Sequence, residues 1–155
     1  MVLTPCDGEV KVTDFGIAKT ESDPSLTKTG VIKGKLQYMP PEQVLSEKLD
    51  CRADIYAMGV IFYEILSGRH IFQSKGDIDA IQSILKAEIP QLKNIRPDTP
   101  EDLNRIVMKC LEKDKKKRYQ SAREVLHDLL RLKKELNITY DMQDLADFME
   151  KYFKE

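Results

Sequence analysis

Asp14 is the acidic residue whose position most favours chemistry. It stands directly after a strand-like run at Val10–Thr13, and it precedes a polar stretch that extends from Thr20 to Lys35. Hard cations are bound by carboxylate oxygens, and a stiff strand holds such a carboxylate in a fixed place. The tripeptide Asp-Phe-Gly at 14–16 is nevertheless short, and taken alone it is equally compatible with a simple turn.

Three further fragments follow this tripeptide in a characteristic order. They are Tyr38–Glu42, Asp54–Gly59 and Arg118-Tyr119. In this order and at these separations, the fragments resemble the C-terminal lobe of a Ser/Thr protein kinase of the bacterial type. The resemblance implies a mainly α fold with an N-terminal β-hairpin, that is, a protein-kinase-like C-lobe fragment.

The resemblance also implies cofactors and a reaction. In the family, the aspartate at the position of Asp14 binds the Mg²⁺ that bridges the ATP phosphates, and Phe15 and Gly16 complete this cofactor-binding motif. Gly34 and Tyr38 match the loop that receives the backbone of a protein substrate. The implied reaction is transfer of the ATP γ-phosphate to Ser or Thr hydroxyls of proteins.

Residues 14–42 match the activation segment of the family. Thr27 and Thr29 lie where bacterial kinases of this type carry paired phosphothreonines, and Lys19 matches a position whose basic side chain reaches that phosphate. A phosphate adds roughly −1.5 to −2 charges and orders a loop by pairing with cations. The alternative is that both threonines are ordinary loop hydroxyls.

Lys35 ends a stretch, Gly30–Lys35, that looks like a phosphate-binding P-loop but differs from one. The glycines are one residue too close together, and Leu36 follows where Ser or Thr would bind Mg²⁺. A Gly-Lys pair here resembles a bacterial subgroup whose catalytic loop lacks its usual lysine. On that resemblance Lys35 supplies charge near the γ-phosphate, and the alternative is a solvated lysine.

Three motif residues are expected to be structural. Glu42 and Arg118 match the family's buried ion pair, in which one carboxylate accepts two hydrogen bonds from one guanidinium. Asp54 matches the aspartate that holds the backbone of the catalytic loop, and without that loop we expect it to lack a partner. The basic run Lys113–Arg118 is expected to be a solvated helix end rather than a nucleic-acid site, because no aromatic residues are interleaved with it.

The sequence contains no glycine-rich phosphate loop, no Val-Ala-Ile-Lys strand, no His-Arg-Asp and no second Mg²⁺-binding asparagine. Because phosphoryl transfer depends on positioning and charge stabilisation, we expect the chain alone to be inactive. The first interpretation is therefore an N-terminally truncated kinase whose missing N-terminal half is a partner. The alternative is a non-catalytic kinase-like lobe that acts as a protein-interaction module.

The amino-acid composition limits the classes of protein to which the chain can belong. The 155 residues are 41% apolar and 33% charged with a net charge of −1, which is typical of a globular domain without a preference for nucleic acid. The longest apolar run, Ile55–Leu66, is too short to span a bilayer. Three scattered cysteines without metal-type spacing favour free thiols and a cytoplasmic location.

The predicted layout is a kinase-domain portion at 1–136 and an amphipathic C-terminal helix at 137–155. The first portion divides into the hairpin at 1–13, the activation segment at 14–42 and a helical core at 43–136. Within the core we expect a buried helix from Arg52 to Ser67, ended by Gly68, whose nearly all-round apolar surface leaves an exposed patch. Further helices are expected at Ile78–Lys86, after a Thr99-Pro100 cap, and from the capping box Ser121-x-x-Glu124 to about Leu136. The last helix is expected to begin near Asp141, with an apolar stripe that forms docked core. The alternatives are that this stripe covers part of the exposed patch or binds a partner.

Overall fold

The computed structural model describes residues 2–3, 9–11, 36–72 and 76–153 of the chain. Helices dominate these ranges, as the sequence predicts. Two short strands precede a 3₁₀ turn at Leu36–Tyr38. The elements are β1 (Val2–Leu3), β2 (Val10–Lys11), α1 (Pro41–Val44), α2 (Arg52–Ser67), α3 (Asp77–Lys86), α4 (Leu92–Ile95), α5 (Glu101–Cys110), α6 (Ala122–Glu135) and α7 (Met142–Phe153).

The two strands pair antiparallel, with Val2 opposite Lys11 and Leu3 opposite Val10. Residues 4–8 between them lie outside the described residues. The complete hairpin therefore stays a prediction.

The chain divides into two compact units, one formed by residues 1–27 and 133–155 and the other by residues 28–132. Helix α2 lies in the second unit and has the bounds that the sequence predicts. Gly68 ends it in the left-handed conformation at φ 66°, which glycine adopts without steric cost, and its N–H donates to the Glu64 carbonyl oxygen at 2.8 Å.

Helices α2 and α5 pack closely because Gly59 has no side chain. A Cβ at position 59 would lie 2.7 Å from Cβ of Cys110. Fully buried side chains from both helices form the core on either side of this approach. They include Ile55, Tyr56, Val60, Tyr63, Ile106, Val107 and Cys110.

The start of α5 differs from its predicted cap. Thr99 was expected to cap the helix with Pro100 as its first residue, but Pro100 is extended at ψ 141° and the helix begins at Glu101. The Thr99 hydroxyl is buried and has no hydrogen-bond partner among the described residues. The expectation is wrong because the chain stays extended one residue longer than the motif suggested.

The capping box of α6 is present in a shifted form. The Glu124 N–H donates to Oγ of Ser121 at 3.3 Å, as predicted. The Glu124 carboxylate reaches back to the N–H of Gln120 at 2.9 Å, one residue further than in the usual motif. The helix ends at Glu135, one residue before the predicted end.

Helix α7 belongs to the first unit, and its apolar stripe is only partly buried. Asp141 caps it, because Oδ1 of Asp141 accepts the N–H groups of Gln143 at 2.8 Å and Asp144 at 3.1 Å. Ala146 is buried, but Met142, Phe148 and Tyr152 are each more than half exposed. An amphipathic pattern identifies the helix without deciding whether its apolar face is covered.

Within the residues that the structure describes, none of the helices combines the length and the apolar character needed to cross a bilayer.

Candidate functional site

The described ranges contain four of the motif residues. Tyr38 lies in the 3₁₀ turn, Glu42 in α1, Asp54 in the first turn of α2, and Arg118 in the segment between α5 and α6. The other predicted site residues lie outside the described residues and keep the status of predictions. These are Asp14, Phe15, Gly16, Lys19, Thr27, Thr29, Gly34 and Lys35.

Glu42 and Arg118 form the ion pair that the sequence predicts. Nη1 and Nη2 of Arg118 donate to the two carboxylate oxygens of Glu42, each at 2.6 Å. The Arg118 side chain is 0% exposed and that of Glu42 is 4% exposed. Burial by itself raises the pKa of Glu42, but the hydrogen bonds from Arg118, a backbone hydrogen bond and the positive charges of Arg118 and Lys115 together outweigh burial and hold the pKa below its usual value.

The guanidinium of Arg118 uses all five of its N–H donors. Besides the Glu42 carboxylate it reaches three backbone carbonyl oxygens, those of Glu112 at 2.7 Å, Arg52 at 2.9 Å and Lys113 at 3.2 Å. Its Cζ also lies 5.0 Å from the centre of the Tyr56 ring. Arg118 therefore joins α1, the start of α2 and the segment after α5 at one buried point.

Tyr38 belongs to a second cluster, around Glu64 of α2. The Tyr38 hydroxyl donates to Oε2 of Glu64 at 2.9 Å, and Nδ1 of His70 lies 2.8 Å from Oε1 of the same carboxylate. Burial first, and then the hydrogen bond to Glu64, raise the pKa of Tyr38 above its usual value. The 3₁₀ turn is thus joined by a hydrogen bond to the last turn of α2.

Glu64 is a site residue that sequence reasoning missed. One signal was available, because Glu64 is the single charged residue within the otherwise apolar run Ile55–Leu66. A carboxylate in such a run needs partners, and its two partners come from positions 26 residues before and 6 residues after it. Their approach depends on the fold and not on local sequence.

Asp54 is exposed at the start of α2, and within the described ranges its carboxylate has no hydrogen-bond or ion-pair partner. No group of three or more His, Cys, Asp or Glu side chains in the described part of the chain is arranged to hold a metal ion. The residues proposed to bind Mg²⁺ and ATP lie outside that part.

Comparison with known proteins gives a consistent result. Residues 2–130 match the family model described as the protein kinase domain. A probable serine/threonine-protein kinase of Clostridium perfringens is 37% identical over 147 residues, which cover 94% of this chain and 21% of that protein. The probable serine/threonine-protein kinase PknB of Lactococcus lactis is 38% identical over 83% of this chain and 20% of that protein.

A third relative carries a different functional name. The tyrosine-protein kinase MasK of Myxococcus xanthus is 44% identical over 115 residues, which cover 74% of this chain and 18% of that protein. The chain thus spans about a fifth of the length of the curated relatives it matches.

Proposed function

Because this chain belongs to the protein kinase family, we propose that it supplies part of a Ser/Thr protein kinase, one that transfers the γ-phosphate of ATP to Ser or Thr hydroxyls of proteins. The observation that supports this most directly is the buried pair of Glu42 and Arg118. It anchors the end of the segment that begins at Asp14 to the helical core. A segment anchored in this way suits the positioning on which phosphoryl transfer depends.

In this proposal Asp14 holds Mg²⁺ and ATP, with Phe15 and Gly16 completing the motif. A carboxylate oxygen is the donor that Mg²⁺ prefers. Gly34 and Tyr38 position the backbone of the protein substrate, and the bond from Tyr38 to Glu64 supports that arrangement.

The proposed organisation is a kinase-domain portion at residues 1–136, followed by a separate helical segment at 137–155. The kinase-domain portion comprises a hairpin at 1–13, an activation segment at 14–42 and a helical core at 43–136.

We also propose that the chain alone is inactive and works with a segment that carries the glycine-rich loop and the catalytic loop. The sequence contains neither of these motifs. Exposed apolar side chains support a partner surface, since Ile65 of α2 is 65% exposed and Leu126 and Leu130 of α6 are 55% and 56% exposed. We expect the isolated chain to be poorly soluble at high concentration, and a monodisperse monomer under those conditions would contradict this.

The deciding experiment compares the chain with a chimera. The chimera joins the N-terminal kinase segment of the Lactococcus relative, up to its catalytic loop, to residues 2–155 of this chain. Calorimetry should detect Mg²⁺-dependent ATP binding by the chimera and none by the chain alone. The chimera should phosphorylate a general protein substrate, and Asp14→Asn should abolish the transfer.

Asp79→Asn is the matched control, because Asp79 is exposed on α3 without a partner among the described residues. Micromolar ATP binding by the chain alone would overturn the proposal of inactivity. A folded but inert chimera would favour the interaction-module alternative. Phosphotyrosine as the product would refute the Ser/Thr assignment, a relevant outcome because one relative is named a tyrosine kinase.

Two proposals about the activation segment use the same chimera. Thr27 and Thr29 should become phosphorylated, with Lys19 as the phosphate partner, and mapping that finds only unmodified 26–33 peptides would rule this out. Lys35→Met should lower turnover strongly, whereas Lys33→Met, the control from the same segment, should not. Unchanged turnover in Lys35→Met would leave Lys35 as a solvated lysine.

A further inference from the structure

A surface groove lies between the end of α5 and the first two turns of α6. Its volume is about 560 Å³, and it is open to solvent. Its lining includes two cations, Lys109 and Arg123, together with the hydroxyl of Ser121. Lys109 and Arg123 belong to none of the kinase motifs assigned above, whereas Ser121 also belongs to the capping box of α6.

The groove also contains the carboxylate of Asp128, which is already engaged. Its Oδ2 accepts the Tyr119 hydroxyl at 2.7 Å, and guanidinium nitrogens of Arg105 and Arg131 lie 3.7 Å and 3.6 Å from its two oxygens. The bond from Tyr119, together with the nearby cations, holds the pKa of Asp128 below its usual value. The carboxylate is therefore ionised and largely neutralised by its neighbours at neutral pH.

The second acid of the groove, Glu124, is likewise engaged, because its Oε2 accepts a backbone N–H from Gln120. The two cations differ in this respect. Nζ of Lys109 lies 4.0 Å from the centre of the Tyr119 ring, and in the described part of the chain neither Lys109 nor Arg123 forms an ion pair with a carboxylate.

The groove holds side chains of both charge signs. Asp128 also draws on Arg105 and Arg131, and Lys109 is near enough to help lower the pKa of Asp128. An anion that enters the groove therefore meets two cations, Lys109 and Arg123, neither of which lies within ion-pair distance of a carboxylate among the described residues.

We propose that this groove binds a phosphate monoester, carried as phosphoserine or phosphothreonine on a protein. Lys109 and Arg123 supply the two cations, and a phosphate dianion offers three strong acceptor oxygens to them. Ser121 supplies a donor, because its oxygen already accepts the Glu124 N–H while its own proton is available. The volume accommodates the phosphate together with the side chain that carries it.

Amide chemical shifts of the isotopically labelled 155-residue chain test this proposal. The probes are a short phosphoserine peptide, the same peptide with unmodified serine, and inorganic phosphate, all at one ionic strength. The phosphopeptide should shift amides at residues 119–128 with saturation, and the unmodified peptide should not. Lys109→Met and Arg123→Gln should each weaken binding roughly two- to fivefold, as expected for partly exposed ion pairs.

The controls are Lys86→Met and Arg69→Gln, two exposed cations outside the groove, and neither should change the affinity. Arg123 is exposed and unpaired among the described residues, so its replacement leaves the fold intact. The absence of saturable shifts at 119–128, or equal weakening by the control variants, would overturn the site. Binding of inorganic phosphate without binding of the phosphopeptide would overturn the assignment to a phosphorylated protein.

Discussion

Replacing Glu42 by glutamine tests the buried ion pair most directly. The variant keeps the shape of the side chain and removes its charge, which leaves the Arg118 guanidinium buried without a counter-charge. One carboxylate oxygen that accepts a 2.6 Å bond becomes an amide NH₂ that faces another donor. Removal of one partner from a buried pair costs about 3–5 kcal/mol of unfolding free energy.

The retained amide oxygen and the three carbonyl acceptors of Arg118 place the expected cost near the lower end, at about 3 kcal/mol. For a chain of this size that loss lowers the melting temperature by roughly 6–12 °C. Urea and thermal denaturation followed by far-ultraviolet circular dichroism measure both quantities. The control is Glu47→Gln. Glu47 is exposed, its Oε2 lies 3.6 Å from Nζ of the partly buried Lys115, and loss of this pair costs about 0–1 kcal/mol.

The contribution of the Glu42–Arg118 pair to stability decreases as the pH falls. Since the pKa of Glu42 is lower in the folded chain than the usual 4.5, its contribution is complete above that value and is lost as the pH falls through the folded pKa. The difference between wild type and Glu42→Gln should therefore shrink in acid. A loss below about 1 kcal/mol at neutral pH, or one equal to that of Glu47→Gln, would refute the reasoning.

Three further predictions follow from the core and from the Tyr119–Asp128 pair. Gly59→Ala should cost about 1–3 kcal/mol in urea denaturation, because the new Cβ meets Cys110 at 2.7 Å, and an unchanged midpoint would contradict this close approach. Tyr119→Phe should lower the free energy of unfolding by about 0.5–1.5 kcal/mol at neutral pH, because the hydrogen bond to the Asp128 carboxylate is lost. The loss should be smaller in acid, where the Asp128 carboxylate, whose pKa is low, becomes protonated, and a loss that does not change with pH would contradict this. Exposed Cys51 should be alkylated quickly under native conditions. Cys110 should be protected, because burial raises the pKa of its thiol to about 12, and equal alkylation rates of the two thiols by peptide mapping would contradict its burial.

Local signals predicted the elements well wherever a helix was long or its end was marked. Arg52–Ser67 was found with correct bounds because Gly68 ends it in a conformation that suits glycine. Short elements such as α1 and α4, of four residues each, went unassigned because so few residues show no periodicity. The predicted cap at Thr99 is wrong for a related reason. Pro100 is extended, and one extended residue moves the start of a helix without altering the sequence motif.

Within the described residues, the motif order identified Glu42 and Arg118 as partners across 76 positions, and the structure contains that pair. The resemblance succeeded here because a buried bidentate pair tolerates few other residue types. It gave no indication of the Glu64 cluster or of the groove beside α6. Both depend on which side chains meet when helices pack.

The amino-acid sequence by itself determined the family, the helices with clear caps and the principal ion pair, because each is encoded by residue type and spacing along the chain. Only the tertiary structure decided that Glu64 joins Tyr38 to His70 and that Tyr119 donates to Asp128. It also decided that Phe148 and Tyr152 of α7 are about half exposed or more. The physical reason is that burial and pairing are properties of contacts between distant segments, and a local pattern carries no record of which segments meet.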